Sequence, residues 1–248
     1  MQAVAHLLPY NGGVRLLCLC FVVGLLASGA AAQDRRGALE RLMAQLADRN
    51  AEVRDTARRE LMGMAPSELP MLRELAVAAK PLGLSQQQGL HEVVLYVRAR
   101  GHILQARQTT SPFLGIRYPN PLDNDLAPAA PEQSPPGIPV ISRVVGFAGY
   151  RYLEEGDILL AMGPPDHPDP LRRRVDLENV MRVLRAGDEV ELHVQRGAAV
   201  VKLRFPLDAH PRVVEKETEI NNLSLTAEAT AMAYWEEQFA PLMGDGTV

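Results

Sequence analysis

Few side chains in this chain have the types and spacing needed for catalysis or metal binding. Asp166, His167 and Asp169 form the closest group of metal-ligand types, but their proline-rich loop has no helix or strand to aim them. His91 and His102 lie eleven residues apart on one predicted helical face, which favours a structural role over a pair of ligands. We therefore predict no metal site and no cofactor.

A serine nucleophile would need a Gly-x-Ser-Gly-like turn together with a partnered His and Asp. No serine of the chain lies in such a context. Ser67, Ser85 and Ser111 fit helix caps and a linker, and Ser142 lies within a predicted strand. The sequence therefore predicts a non-enzyme with no catalytic residues.

Charge and composition narrow the classes of partner and site further. The chain has 248 residues, of which 47% are hydrophobic but only 5% aromatic, so we expect an aliphatic core. The net charge of −4 gives no reason to expect nucleic acid as a partner. The densest basic run, residues 172–174, is expected to be a solvated loop. Both cysteines lie before residue 33, so the remaining chain has no thiol for a disulfide, a nucleophile or a metal.

Residues 1–32 have the pattern of an export signal. An uncharged apolar run, residues 16–32, follows a lone arginine and ends in the small-x-small pattern of Ala30 and Ala32. This run is shorter than the about 20 apolar residues that span a bilayer. We therefore expect a signal peptide cleaved before Gln33, and an exported protein of the periplasm or cell envelope. The alternative is a membrane anchor formed by the same run, if it is retained.

Residues 33–107 have the apolar spacing of helices. Residues at i, i+3, i+4 and i+7 form one stripe on each of four predicted helices, and Asn50 is a candidate cap for the second. The stretch 46–61, an acidic turn followed by a helix with Val53 and Arg54 near its start, resembles one HEAT-type repeat unit. A compact bundle of three or four helices is the alternative interpretation.

Three glycine-centred motifs follow in the second half of the chain. Residues 113–116 read Phe-Leu-Gly-Ile, residues 153–157 read Leu-Glu-Glu-Gly-Asp, and residues 187–190 read Gly-Asp-Glu-Val. Residues 138–145 and 157–162 predict strands between and beside them. A predicted helix at 176–185 carries one apolar stripe of Leu177, Met181 and Leu184 and a second of Val180 and Val183.

The last predicted strands form a β-hairpin that turns at Arg196-Gly197. Apolar and polar residues alternate along both arms, which indicates one buried face and one wet face. The predicted buried residues are Val190, Leu192, Val194, Val201, Leu203 and Phe205, and the predicted wet residues are Glu191, His193, Gln195, Lys202 and Arg204.

The order and spacing of these motifs resemble a bacterial PDZ domain over residues 112–208. The PDZ domains of high-temperature-requirement proteases are similar, and here no protease domain accompanies the resemblance. It implies a partly open β-barrel with one main helix, which binds extended or C-terminal peptide segments by adding them to a sheet edge.

The resemblance also implies a peptide site. The loop around Leu114 and Gly115 would hold a carboxylate through backbone N–H groups, because glycine permits positive φ and close approach. The ligand's backbone would pair with the strand that follows, and its last side chain would lie against the second stripe of the predicted helix. The implied peptide-binding residues are Leu114, Gly115, Ile116, Tyr118, Asp176, Val180 and Val183.

Together these patterns predict an α+β protein. Its expected parts are a signal peptide at 1–32, a helical HEAT-like domain at 33–107, a linker at 108–111, a PDZ-like domain at 112–208, and a tail at 209–248 with one helix around Trp235. We expect a non-enzymatic interaction module of the cell envelope with a protein or peptide partner. The alternatives are a regulatory partner of an envelope protease, a membrane-anchored component of a secretion machinery, and a structural PDZ module that binds no peptide.

Overall fold

The computed structural model of the chain describes residues 33–106, 108–118, 137–211 and 217–243. The predicted signal peptide and its cleavage site before Gln33 lie outside this part. The described residues form a mixed structure with helices in the N-terminal region and open sheets in the second half, which confirms the α+β prediction. Within these ranges, none of the helices combines the length and apolarity needed to cross a bilayer.

Four helices form the N-terminal region: α1 at residues 33–45, α2 at Ala51–Leu61, α3 at Leu69–Ala78 and α4 at Leu84–Ile103. Asn50 caps α2 as expected, since its side chain accepts a hydrogen bond from the Glu52 N–H at 2.9 Å. α4 begins one residue earlier than its predicted cap, Ser85. There Gly83 is the N-cap, and its N–H donates to the Gln86 side chain at 3.1 Å.

The apolar faces of these helices meet in one cluster, here called the helical core. The helix α7, Glu217–Gln238, lies along α4 and contributes Ala227, Ala231 and Trp235 to it. The range 209–248, expected as a tail, therefore supplies a helix to the helical core. The largest fully buried side chains of this core are Leu39, Leu46, Leu61, Met62, Leu69, Leu72, Leu90, Tyr96, Phe147 and Phe239.

Nine strands and two helices form the second half: β1 Gln108–Phe113, β2 Ile116–Arg117, β3 Ile138–Pro139, β4 Ser142–Arg143, α5 Ala148–Tyr152, β5 Ile158–Gly163, β6 Asp169–Pro170, α6 Arg174–Val183, β7 Glu189–Arg196, β8 Ala199–Pro206 and β9 Asp208–Pro211, counted over the described residues. All pairings are antiparallel: β1 with β9, β2 with β4, and β3-β5-β7-β8 in order with β6 on β5. The expected linker, residues 108–111, lies in β1.

The interior of this half is a second cluster, here called the β core. The β7–β8 hairpin pairs in continuous register, with Leu192 opposite Leu203. Its predicted inward residues are buried, except that Val201 is only partly so. Glu191, predicted on the wet face, is instead buried at 4% exposure. The reason is that His193 and Arg204 on the same face fold over its carboxylate.

The second and third glycine motifs are matching turns. Gly156 and Gly187 have φ of +88° and +89°, a conformation that favours glycine. The aspartate after each glycine accepts a hydrogen bond from a backbone N–H three residues earlier, at 2.8 Å in both turns. Asp157 is also buried and receives the fork of Arg196 at 2.9 and 2.8 Å. These motifs are therefore explained by turn geometry and an internal ion pair.

Candidate functional site

The loop between β1 and β2 is a tight turn centred on Gly115. Gly115 has a φ of +72°, and a Cβ placed on it would lie 2.3 Å from Cβ of Phe147, so both conformation and space require glycine. The Leu114 carbonyl accepts the Gly149 N–H at 2.7 Å, and the Gly115 carbonyl accepts the Val144 N–H at 2.8 Å.

These two hydrogen bonds fix the direction of the neighbouring N–H groups. In a trans peptide the N–H points opposite to the C=O of the same unit. Because the carbonyls of Leu114 and Gly115 point toward residues 144–149, the N–H groups of Gly115 and Ile116 point away from that segment. Two successive donors on one side of a glycine turn can receive a carboxylate.

The strand β2 continues from this loop and has one paired edge. Ile116 and Arg117 pair with Arg143 and Ser142 of β4, and no other strand of the described ranges pairs with β2. Ile116 and Tyr118 are partly buried against the β core. Within the described ranges the pairing of β2 is therefore with β4, and it spans two residues.

The helix α6 supplies the predicted residues in three different environments. Val180 is 7% exposed and belongs to the β core, together with Leu114, whereas Val183 is 78% exposed. Asp176 accepts the backbone N–H groups of Arg172 and Arg173 at 2.9 and 2.8 Å, and these bonds lower the pKa of its carboxyl. Asp176 therefore caps α6, and among the predicted peptide-binding residues of this helix Val183 is the one with an open apolar side chain.

Two residues that were not among the predicted site residues also belong to this region. The Arg174 guanidinium lies 5.2 Å from the ring centroid of Tyr118, which places the start of α6 next to the end of β2. Phe147 packs beneath Gly115 and contacts the Phe113 ring edge-on at a centroid distance of 4.7 Å. The Arg-rich run gave a signal for Arg174, but nothing in the sequence pairs Phe147 with the loop.

Two of the three residues considered as metal ligands from the sequence, Asp166 and His167, have other partners, and the third, Asp169, lies in β6. Asp166 forms an ion pair with Arg204, and its N–H lies 3.4 Å from the Glu191 carboxylate. The His167 ring nitrogen lies 3.5 Å from the Pro165 carbonyl. In the described ranges no three His, Cys, Asp or Glu side chains converge as metal ligands would.

No protein-family model and no curated protein matches this chain.

Proposed function

We propose that residues 112–208 form a PDZ-like domain that binds an extended or C-terminal peptide between β2 and α6. The support is the order of elements: a glycine loop, a short strand with one paired edge, and a helix whose first residue contacts that strand's end. The helices before it form a HEAT-like unit or a small bundle. The protein is then a non-enzymatic interaction module, exported to the cell envelope.

The single observation that carries this proposal is the direction of the Gly115 and Ile116 N–H groups. They point away from the segment that holds the loop's carbonyls, and they lie at the start of the β2 edge. A C-terminal carboxylate at these donors places the preceding ligand residues along that edge. Their side chains then meet Val183 on α6.

The burial of Val180 and Val183 decides which substitution tests the proposed groove between β2 and α6. Val180 is buried in the β core, so Val180→Glu would unfold the domain whether or not a peptide binds. Val183 is exposed, and a glutamate there adds negative charge to the proposed groove with little effect on the core. Val200, 62% exposed on β8, which belongs to a different sheet from β2, is the matched control.

A screen of C-terminal peptide libraries against wild type, Val183→Glu and Val200→Glu tests the proposal. Because β2 offers few backbone hydrogen bonds to a peptide, we expect a Kd on the order of 10 µM or weaker. This Kd corresponds to a binding free energy of about −7 kcal/mol or weaker. Binding should need a free carboxylate, fall in Val183→Glu and persist in Val200→Glu. The absence of any carboxylate-dependent binder, or equal loss in both variants, would overturn the proposal.

A further inference from the structure

The turn at Leu114 and Gly115, here called the carboxylate loop, rests on the segment 144–149. Part of this segment belongs to the helical core. Phe147 lies beneath Gly115, is 1% exposed and is a member of the helical core, as is Val145 beside it. The same segment donates the two hydrogen bonds that hold the loop, from Val144 and Gly149. The loop's position therefore depends on how this segment lies against the helices.

Direct backbone contact joins this segment to α4. Gly146 has a φ of +91°, and a Cβ placed on it would lie 3.0 Å from the Arg100 nitrogen and 2.7 Å from Cδ1 of Ile103. Only glycine lets the chain approach the helix this closely. The Arg100 side chain also reaches the Gly146 carbonyl at 3.2 Å and the Tyr96 hydroxyl at 3.2 Å.

An ion pair completes the connection. Arg100 Nη1 donates to Asp208 Oδ1 at 2.8 Å, and Asp208 Oδ2 accepts the Ala148 N–H at 2.5 Å. Asp208 stands opposite Phe113 in the β1–β9 pair, directly before the carboxylate loop. One carboxylate thus joins α4, the start of α5 and the strand pair that leads into the loop, through charge-assisted hydrogen bonds.

We propose that Arg100 is a positioning residue that makes recognition of the ligand's carboxylate dependent on the helical part of the protein. It acts through Asp208 and Phe147, and it lies outside the groove between β2 and α6. That the loop binds a peptide carboxylate rests on the proposed function. The effect of Arg100 on the position of the loop does not depend on that proposal. A change in the helical part, such as binding of a second protein to it, would then alter affinity for a C-terminal peptide.

The first test measures amide hydrogen exchange in the full chain. Exchange at Val144 and Gly149 reports on the two hydrogen bonds that hold the loop, and exchange at Leu192 in β7 reports on global opening. In Arg100→Met we expect exchange at the first two positions to rise about tenfold, as for the loss of one charge-assisted hydrogen bond, while any rise at Leu192 measures the accompanying loss of global stability. Arg98→Met, an exposed position on the same helix whose guanidinium lies over the Tyr234 ring instead, should match wild type at Val144 and Gly149.

Conservative variants separate positioning from loss of folding. Arg100→Lys keeps the charge beside Asp208 but loses the planar fork, so exchange at Val144 and Gly149 should be intermediate. Asp208→Asn should behave like Arg100→Met. Wild-type exchange rates at Val144 and Gly149 in Arg100→Met, with or without a rise at Leu192, would overturn the inference.

The second test uses a fluorescent octapeptide that ends in valine, as the free acid and as the C-terminal amide. Arg100→Met should weaken binding of the free acid about tenfold, Arg98→Met should leave it unchanged, and the amide should bind none of the three proteins measurably. Equal weakening of the free acid in both variants would contradict the positioning role. If neither peptide binds wild type and the library yields no binder, the proposed function fails, and the exchange rates alone decide the link to the loop.

Discussion

At the scale of single residues, Glu191 is a buried carboxylate with three hydrogen-bonding partners, Asp166, His193 and Arg204. His193 Nε2 lies 2.7 Å from Oε1, and Arg204 Nε donates to Oε2 at 2.9 Å. The bonds from His193 and then Arg204 lower the pKa of Glu191 from 4.5 to about 2. Because the folded protein holds this carboxylate ionised, protonation of Glu191 opposes folding.

This shift predicts a pH dependence of stability that is specific to Glu191. The stabilisation is fully present above pH 4.5 and is lost as the pH falls toward about 2. Chemical unfolding of wild type across this window should therefore show a steeper loss of stability than Glu191→Gln, which has no carboxylate there.

Glu189→Gln is the control for that measurement, because Glu189 is exposed on the same strand. Its stability should follow the wild-type curve, including the contribution of other carboxylates that all variants share. If Glu191→Gln loses as much stability as wild type between these pH values, the ion-pair cluster around Glu191 is not present in solution.

Strand alternation predicted the inward residues of β7 and β8 correctly but placed Glu191 in water. The pattern fixes which face a side chain occupies, and it carries no information on whether neighbours cover that face. Here His193, Lys202 and Arg204 share the face, and the long side chain of Arg204 folds over the carboxylate that it neutralises.

At the scale of elements, α7 is part of the helical core rather than an appendage. Its buried residues recur every four positions at Ala227, Ala231 and Trp235, and Phe239 continues this spacing directly after the helix. The Trp235 ring contacts His91 of α4 edge-on at 4.8 Å and stacks on Phe239 at 5.6 Å. Two alanines at the contact allow the backbones of α4 and α7 to approach closely.

We predict that Trp235→Ala destabilises the protein by about 3–5 kcal/mol, the usual cost of truncating a large buried aromatic side chain. The matched control is Leu225→Ala on the same helix, where the side chain is 58% exposed, and we expect a change within about 0.5 kcal/mol. Urea unfolding of the full chain measures both. Equal, small effects would show that α7 does not pack on α4.

The late helix could be predicted from its apolar residues, but its partner could not. Two of the three buried positions described on α7 are alanines, which give a weak hydrophobic signal, and Ala229 and Ala233 on the same helix are exposed. The packing partner α4 lies more than a hundred residues earlier in the chain. No local pattern records such a contact.

At the scale of the whole molecule, the two halves meet through residues 143–151. Val145 and Phe147 enter the helical core, while Ala148 belongs to the β core. Arg151 donates to the Arg59 carbonyl of α2 at 2.8 Å, and Tyr150 stacks on Tyr96 of α4 at 6.2 Å. Contacts with both cores along one short segment favour a fixed relation between the halves over a flexible linker.

The candidate site was predictable only in its local part. A glycine between apolar residues predicted the turn at Gly115, because positive φ is a property of that residue type. The contacts of Phe147 beneath the loop and of Arg100 with Asp208 join residues 32 to 108 positions apart. Spacing along the sequence does not encode these contacts. The capping role of Asp176 could not be predicted either, because it depends on the residue at which α6 begins.

Two-dimensional amide NMR of the full chain, titrated with the strongest peptide of the library screen, tests the central claim most directly. With the free-carboxylate peptide, the account predicts the largest shifts at the Gly115 and Ile116 amides, whose N–H groups point away from residues 144–149. The C-terminal amide of the same peptide should leave those two signals nearly unchanged. Shifts confined to other surfaces, such as the exposed edge at Val200, or equal shifts with both peptides, would contradict the claim that this loop binds a carboxylate.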